Sequence, residues 1–225
     1  MKGGKKGDFK GGSMRNHKKI VKKMFSPPAI ILIVLLVMYG TSNLEAQGVH
    51  SFRKALPDTG QTSCYNPSGS TITCSGAGQD GSYILLNPQL SYIDNGDGTV
   101  TDKYTGLMWK KCSEPLQTTN CSGTPGTYTW ANAISQCENL TYAGYSDWRL
   151  PNMKELFSLI KYQGSSGPYI DTSYFPNTVN SAYWTSTTYA PNATYAMLVN
   201  FNGGLVDGYD KARNFYYVRC VRAGP

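Results

Sequence analysis

Six cysteines, Cys64, Cys74, Cys112, Cys121, Cys137 and Cys220, constrain this 225-residue chain more than any other feature. All lie beyond residue 46. The segment before them has the three parts of a secretory signal peptide. Lys2, Lys5, Lys6, Lys10, Arg15, Lys18, Lys19, Lys22 and Lys23 form a basic start, and Ala29 to Met38 is an unbroken apolar run. Small and polar residues follow, with cleavage expected near Ala46. The apolar run falls short of the roughly 20 residues a membrane span needs. Contact with a membrane is therefore expected only through this segment, if it is left uncleaved. An even number of cysteines in an exported chain reads as three disulfides. Many pairings are open. The spacing favours Cys64–Cys74 and Cys112–Cys121 as short staples and Cys137–Cys220 as a long link. A zinc site is the weaker reading, because no CxxC pair occurs and His50 is the only histidine beyond residue 46.

Charge argues the same way. The chain carries 21 basic and 14 acidic residues, a net of +7. Nine of those basic residues and two of the acids (Asp8, Glu45) lie in 1–46, which leaves 12 of each sign beyond it. A basic surface for nucleic acid is thus not expected once the leader is set aside. The expected organisation is a signal peptide at 1–46, a loop-rich lead-in with one short disulfide loop at 47–86, and a single domain at 87–225. The location is outside the cytoplasm: secreted, periplasmic or on the cell surface. Oligomeric state is not legible.

Within the domain, Asn152 and Glu155 have the spacing of a capping box. Pro151 suits the entry turn, and Met153, Leu156, Phe157 and Ile160 form an apolar stripe, so a helix is expected over 152–161. Thr129 is placed to cap a helix reaching about Leu140, with Trp130, Ile134 and Cys137 inward. Dense turn residues at Asp94–Gly98 between strand-like runs predict a hairpin. Further strands are expected at Ala182–Ser186, Tyr195–Phe201, Gly204–Val206 and Phe215–Val221, with Asn202-Gly203 as a tight turn. Strands, two helices, then strands imply an α+β domain: a mixed or antiparallel sheet with two helices, held by disulfides.

The ordered motifs Asp94-Asn-Gly-Asp-Gly-Thr-Val-Thr-Asp102, Thr105-Gly-Leu-Met-Trp109, Gly144-Tyr-Ser-Asp-Trp-Arg-Leu-Pro151, Tyr183-Trp-Thr-Ser-Thr187 and Val218-Arg-Cys-Val-Arg222 carry a family resemblance. Over about residues 57–222 the chain resembles the C-terminal domain of Legionella collagen-like adhesins. It has no Gly-X-Y collagen tract ahead of that region. Arg149-Leu-Pro151 and Arg219-Cys220 are also similar to the formylglycine-generating and sulfatase-modifying fold. That likeness implies a C-type-lectin-like architecture in which a first-helix cysteine joins a late strand, as Cys137 and Cys220 would. The enzyme's closely spaced catalytic cysteine pair has no counterpart here.

Candidate site residues divide by chemistry. Asp94, Asp97 and Asp102 offer hard oxygens of the kind calcium takes, yet they depart from EF-hand spacing, and turn formation accounts for them. Apart from calcium, no cofactor is expected. The C-type lectin sugar motifs are incomplete: Glu114-Pro-Leu116 and Ala190-Pro-Asn192 each lack a ligand. Sixteen of the 17 tyrosines lie beyond the leader, and tyrosine gives broad contact at low entropic cost. Tyr209, Asp210 and Arg213, in the polar and aromatic stretch Asp207–Arg213, are the binding candidates; a solvated loop is the plainer reading. Trp109, Trp130, Trp148 and Trp184 are expected in the core. Asp147 and Arg149 flank Trp148, and an ion pair organising that loop is expected. No catalytic residues are assigned. The resulting expectation is an exported, non-enzymatic recognition or adhesion domain for an extracellular glycan or protein at the cell envelope. The alternatives are an enzyme on the formylglycine-generating-like fold, a glycan hydrolase, or an envelope structural or assembly subunit.

Overall fold

Alternating strand residues between turn residues build three antiparallel sheets in the computed structural model, which describes residues 59–83, 90–213 and 215–224. The expected signal peptide lies outside the described residues, as do 47–58 and 84–86 of the lead-in. Among the described residues no helix is long and apolar enough to cross a membrane. The described part of the lead-in forms a two-stranded ribbon, β1 (Cys64–Tyr65) and β2 (Thr71–Ile72), closed by the Cys64–Cys74 disulfide. It docks on the domain through Tyr162, whose amide donates to the Thr59 carbonyl at 2.8 Å, and through Gln163, whose Oε1 accepts from the Thr62 amide at 3.0 Å.

The second sheet has strand order β3-β4-β5-β9: β3 (Tyr92–Asp94), β4 (Thr99–Asp102), β5 (Leu107–Lys110) and β9 (Val221–Ala223). The third is the meander β6 (Ala182–Thr188), β7 (Tyr195–Asn200) and β8 (Leu205–Asp210). Helix α1 (Trp130–Glu138) packs on β6, and α2 (Met153–Phe157) packs on β6 and β7. The domain is therefore α+β, with two helices, antiparallel sheets and three disulfides paired Cys64–Cys74, Cys112–Cys121 and Cys137–Cys220.

Both helix starts follow from their caps. Thr129 accepts from the Asn132 amide, and Asn152 and Glu155 exchange both bonds of a capping box. The second helix is shorter than the expected 152–161, ending at Phe157. Leu159 and Ile160 continue as tight turns, and their side chains are buried while Phe157 is exposed. Ala133 and Cys137 are the buried residues of α1, and Trp130 and Ile134 are only partly covered.

The expected strand Phe215–Val221 is corrected most. It forms no continuous ladder, because successive residues pair with different partners. Tyr216 bonds Tyr128, Tyr217 lies between Ala182 and Trp184, Val218 accepts from Glu114, Cys220 from Lys110, and Val221 pairs with Arg149. The segment stitches the four-stranded sheet to the three-stranded one, and only Val221–Ala223 is a strand. The β7–β8 turn also differs from a two-residue Asn-Gly turn. Asn200 pairs with Leu205, and the left-handed residue of the resulting four-residue turn is Gly204, at φ +64°. A side chain there would collide with the Tyr162 ring.

Two apolar clusters fill the domain. One gathers Met108, Cys137, Leu140, Trp148, Trp184, Leu198 and Val218 beneath α1. The other gathers Val100, Trp109, Leu156, Phe175, Tyr183, Phe201 and Val221 beneath α2. Trp109, Trp148 and Trp184 are core, as expected; Trp130 sits at its margin, its indole N–H donating to the Thr185 carbonyl at 2.8 Å.

Candidate functional site

A buried polar cluster lies where β5, the stitching segment and α1 meet. Lys110 Nζ donates to Glu114 Oε1 at 2.7 Å, and both side chains are fully buried. Burial pushes the Glu114 carboxyl up and the Lys110 ammonium down, and each partner's charge opposes the other's shift. Arg219, also fully buried, donates to the carbonyls of Lys110 and Lys111, to Ser113 Oγ at 3.3 Å and to Thr178 Oγ1 at 2.8 Å. Its guanidinium rests on the Phe175 ring, 4.9 Å from the centroid. Lys110 and Glu114 persist in the interior as a hydrogen-bonded ion pair, while Arg219 is held by carbonyl and hydroxyl acceptors.

A side chain of α1 links this cluster to the surface. Gln136, on α1, donates from Nε2 to Glu114 Oε2 at 3.1 Å. Gln136 lines an open groove of about 460 Å³ together with Gln117, Tyr128, Asn132, Ser135, Asn139, Leu140 and Thr141. Asn132, Ser135, Gln136 and Asn139 stand at i, i+3, i+4 and i+7, so they share one face of the helix, opposite buried Ala133 and Cys137. Cys137–Cys220 ties that helix to the stitching segment, and Cys112–Cys121 closes the loop carrying Gln117. No side-chain hydrogen bond among the described residues engages the Asn132, Asn139 or Gln117 amides, so their donors and acceptors face the groove uncommitted. Burial raises the Tyr128 phenol, and the Glu114 charge adds to that, so it stays a neutral hydroxyl at physiological pH.

The residues chosen from sequence lie elsewhere. Asp94, Asp97 and Asp102 each cap their own turn. Asp94 accepts from the Gly96 amide and from Lys111 Nζ, Asp97 from the amide and hydroxyl of Thr99, and Asp102 from the amides of Tyr104 and Thr105 and the Thr105 hydroxyl. Among the described residues no three His, Cys, Asp or Glu side chains converge as a metal site would require. Tyr209 and Asp210 are on strand β8, not in a loop. Asp210 accepts from the amides of Ala212 and Arg213, which shapes the turn after the strand; the Arg213 side chain is 87% exposed. The Tyr209 ring meets Tyr216 edge-on at 5.4 Å, and Tyr216 meets Trp184 in the same way at 5.0 Å. Tyr216 pairs through its backbone with Tyr128, so this aromatic surface adjoins the groove.

Asp147 and Arg149 do not pair with each other. Arg149 makes a two-pronged bond to Glu155, both contacts 2.8 Å, while Asp147 pairs with Arg222 at 2.6 Å. Adjacent residues on either side of buried Trp148 face different elements, so the loop is held at both ends. The groove itself went unnoticed in the sequence, although the polar spacing along 132–139 was its signal. Gln117 and Tyr128, from separate loops, carry no such pattern.

These features define a disulfide-stapled α+β domain with a neutral polar groove and a paired, buried ionic floor. The chain belongs to the Lcl C-terminal domain family, whose model matches residues 98–222. That match starts later than the 57–222 of the sequence resemblance. The family is a non-catalytic, adhesin-type domain. A search of curated proteins finds no match.

Proposed function

We propose that this chain is an exported recognition domain that binds an extracellular glycan or protein at the cell envelope through the groove beside α1. The observation that carries this reading is the pair of uncommitted Asn132 and Asn139 amides on one face of α1, flanking a Gln136 amide anchored to buried Glu114, on a helix tied down by the Cys137–Cys220 disulfide. Preorganised polar groups that need not reorient on binding are what a recognition site requires. Family membership supports a surface-associated, adhesin-type role. The proposed layout is a signal peptide at 1–46, a stapled lead-in at 47–86 and the recognition domain at 87–225, with export to the periplasm, the cell surface or the medium. Disulfides in the domain support an oxidising compartment. A C-type-lectin-like architecture is part of the proposal, supported by the link from the first-helix cysteine to the late segment at Cys220.

A second reading uses the adjoining surface for a protein partner. Tyr209 and Phe215 are exposed large hydrophobic residues close in sequence to Asp210 and Arg213, and Leu205 is exposed at the other end of β8. Such residues mark interaction surfaces when they gather.

The test is an array of glycans and extracellular-matrix proteins probed with the oxidised domain, with calcium and with chelator. Binding that survives chelation is expected, since the Asp94, Asp97 and Asp102 carboxylates already serve their turns. Binding that disappears with chelator would restore those carboxylates as a calcium site. Absence of any hit would contradict the recognition reading.

A further inference from the structure

The groove's lining is uniform in one respect: of Gln117, Tyr128, Asn132, Ser135, Gln136, Asn139, Leu140 and Thr141, none carries a charge at neutral pH. An anionic ligand would find no lysine or arginine in the lining to offset its desolvation. A largely apolar ligand would strand the amides of Asn132 and Asn139 without water or partner. Paired donors and acceptors at helical spacing instead match a ligand that presents hydroxyls along its length, each able to donate and accept.

One member of the lining is fixed in orientation by chemistry. Glu114 Oε1 accepts a hydrogen bond from the Lys110 ammonium, and Oε2 faces Gln136 at 3.1 Å. A carboxylate only accepts, so Gln136 must turn its NH2 group to Glu114. Its carbonyl oxygen and second N–H are then left for whatever enters the groove. The ion pair beneath therefore sets the polarity that the ligand meets.

Resting on the recognition reading above, we infer that the groove takes an uncharged, polyhydroxylated ligand, a neutral oligosaccharide, and that Gln136 reads one of its hydroxyls in an orientation imposed by Glu114. Asn132 and Asn139 supply the flanking contacts one helical turn away on either side. Tyr128 provides the ring against which a sugar face rests.

The experiment is an amide chemical-shift titration of the isotope-labelled, oxidised protein with maltoheptaose, cellohexaose and chitohexaose, and with a heparin-derived octasaccharide, each at low and high salt. At least one neutral sugar is expected to shift the amides of residues 132–141 with an affinity that salt leaves unchanged. The Gln136→Met variant, which keeps length and removes the hydrogen-bonding amide, should weaken that affinity about tenfold. Glu114→Gln should weaken it as well, because an amide at 114 no longer dictates which way Gln136 turns. Binding of the sulfated probe alone, falling steeply with salt, overturns the uncharged class and leaves glycan recognition standing. Shifts confined to Leu205, Tyr209 and Phe215 overturn the groove assignment. Failure of every saccharide to bind removes the glycan reading itself.

Discussion

The Asp94–Gly98 hairpin and the polar face of α1 are both rich in oxygen and amide groups, and they differ in what those groups are already doing. In the hairpin, Asp94 and Asp97 accept from Gly96, Lys111 and Thr99, and Gly98 lets the backbone pass against the Tyr142 hydroxyl. The turn consumes its own polar capacity. On α1, the Thr129 cap and the helix's own ladder serve the backbone, with the Trp130 amide donating to the Lys211 carbonyl, which frees the side chains at 132 and 139 and leaves Gln136 only its bond to Glu114. Residue type alone suggested the hairpin as a site. Hydrogen-bond accounting favours the helix.

Removing the groove's floor should have the largest effect. Glu114→Ala leaves Lys110 charged and unpartnered in the interior, which costs roughly 3–5 kcal/mol. Thermal unfolding should move down sharply, and the variant should lose the groove together with much of its stability. A melting temperature within a degree or two of the parent would show that the pair does not hold this region. Opening the Cys112–Cys121 staple by a paired Cys→Ser change should cost about 2.5 kcal/mol in the chain-entropy model and free the loop that carries Gln117. Hydrogen exchange should then rise in residues 112–121, while the Asp94–Gly98 hairpin keeps its protection.

Acid should separate the two regions by a smaller amount. The Asp94 carboxyl lies below its ordinary 3.8, first because of the Lys111 hydrogen bond and then the Gly96 amide. A carboxylate with a depressed folded pKa contributes stability that is complete above its unfolded value and is lost as pH falls through the folded one. The loss therefore belongs below about pH 4. It should amount to a few tenths of a kcal/mol, because the pair is largely solvated. Comparing melts of the parent and Asp94→Asn at neutral and acid pH measures it: the parent's small advantage should be present at neutral pH and vanish in acid, and a difference that persists in acid with the same size would contradict a titration origin.

How far the sequence could be read depended on whether one segment made its own partners. Asn152–Glu155 and Thr129 announced their helices because a cap is satisfied within four residues. The short disulfides were legible for the same reason. Phe215–Val221 misled because its aromatic and β-branched residues fit a strand, whereas its partners are spread over Tyr128, Ala182, Trp184, Glu114, Lys110 and Arg149. The Lys110–Glu114 pair looks like any surface pair of opposite charges until the Arg219 segment and α1 close over it. The groove needed both: a helix face visible as spacing, and two loop residues that only the fold brings to it.

Binding and melting measurements on Asn132→Ala/Asn139→Ala beside Asp97→Ala, using a ligand identified on the array, decide between the proposed polar face of α1 and the carboxylate hairpin as the binding surface. The double asparagine variant should keep the parent's melting temperature and lose binding, while Asp97→Ala should melt earlier and bind normally. Full binding by the asparagine variant, or its loss in Asp97→Ala with the fold intact, would contradict the proposed α1 surface.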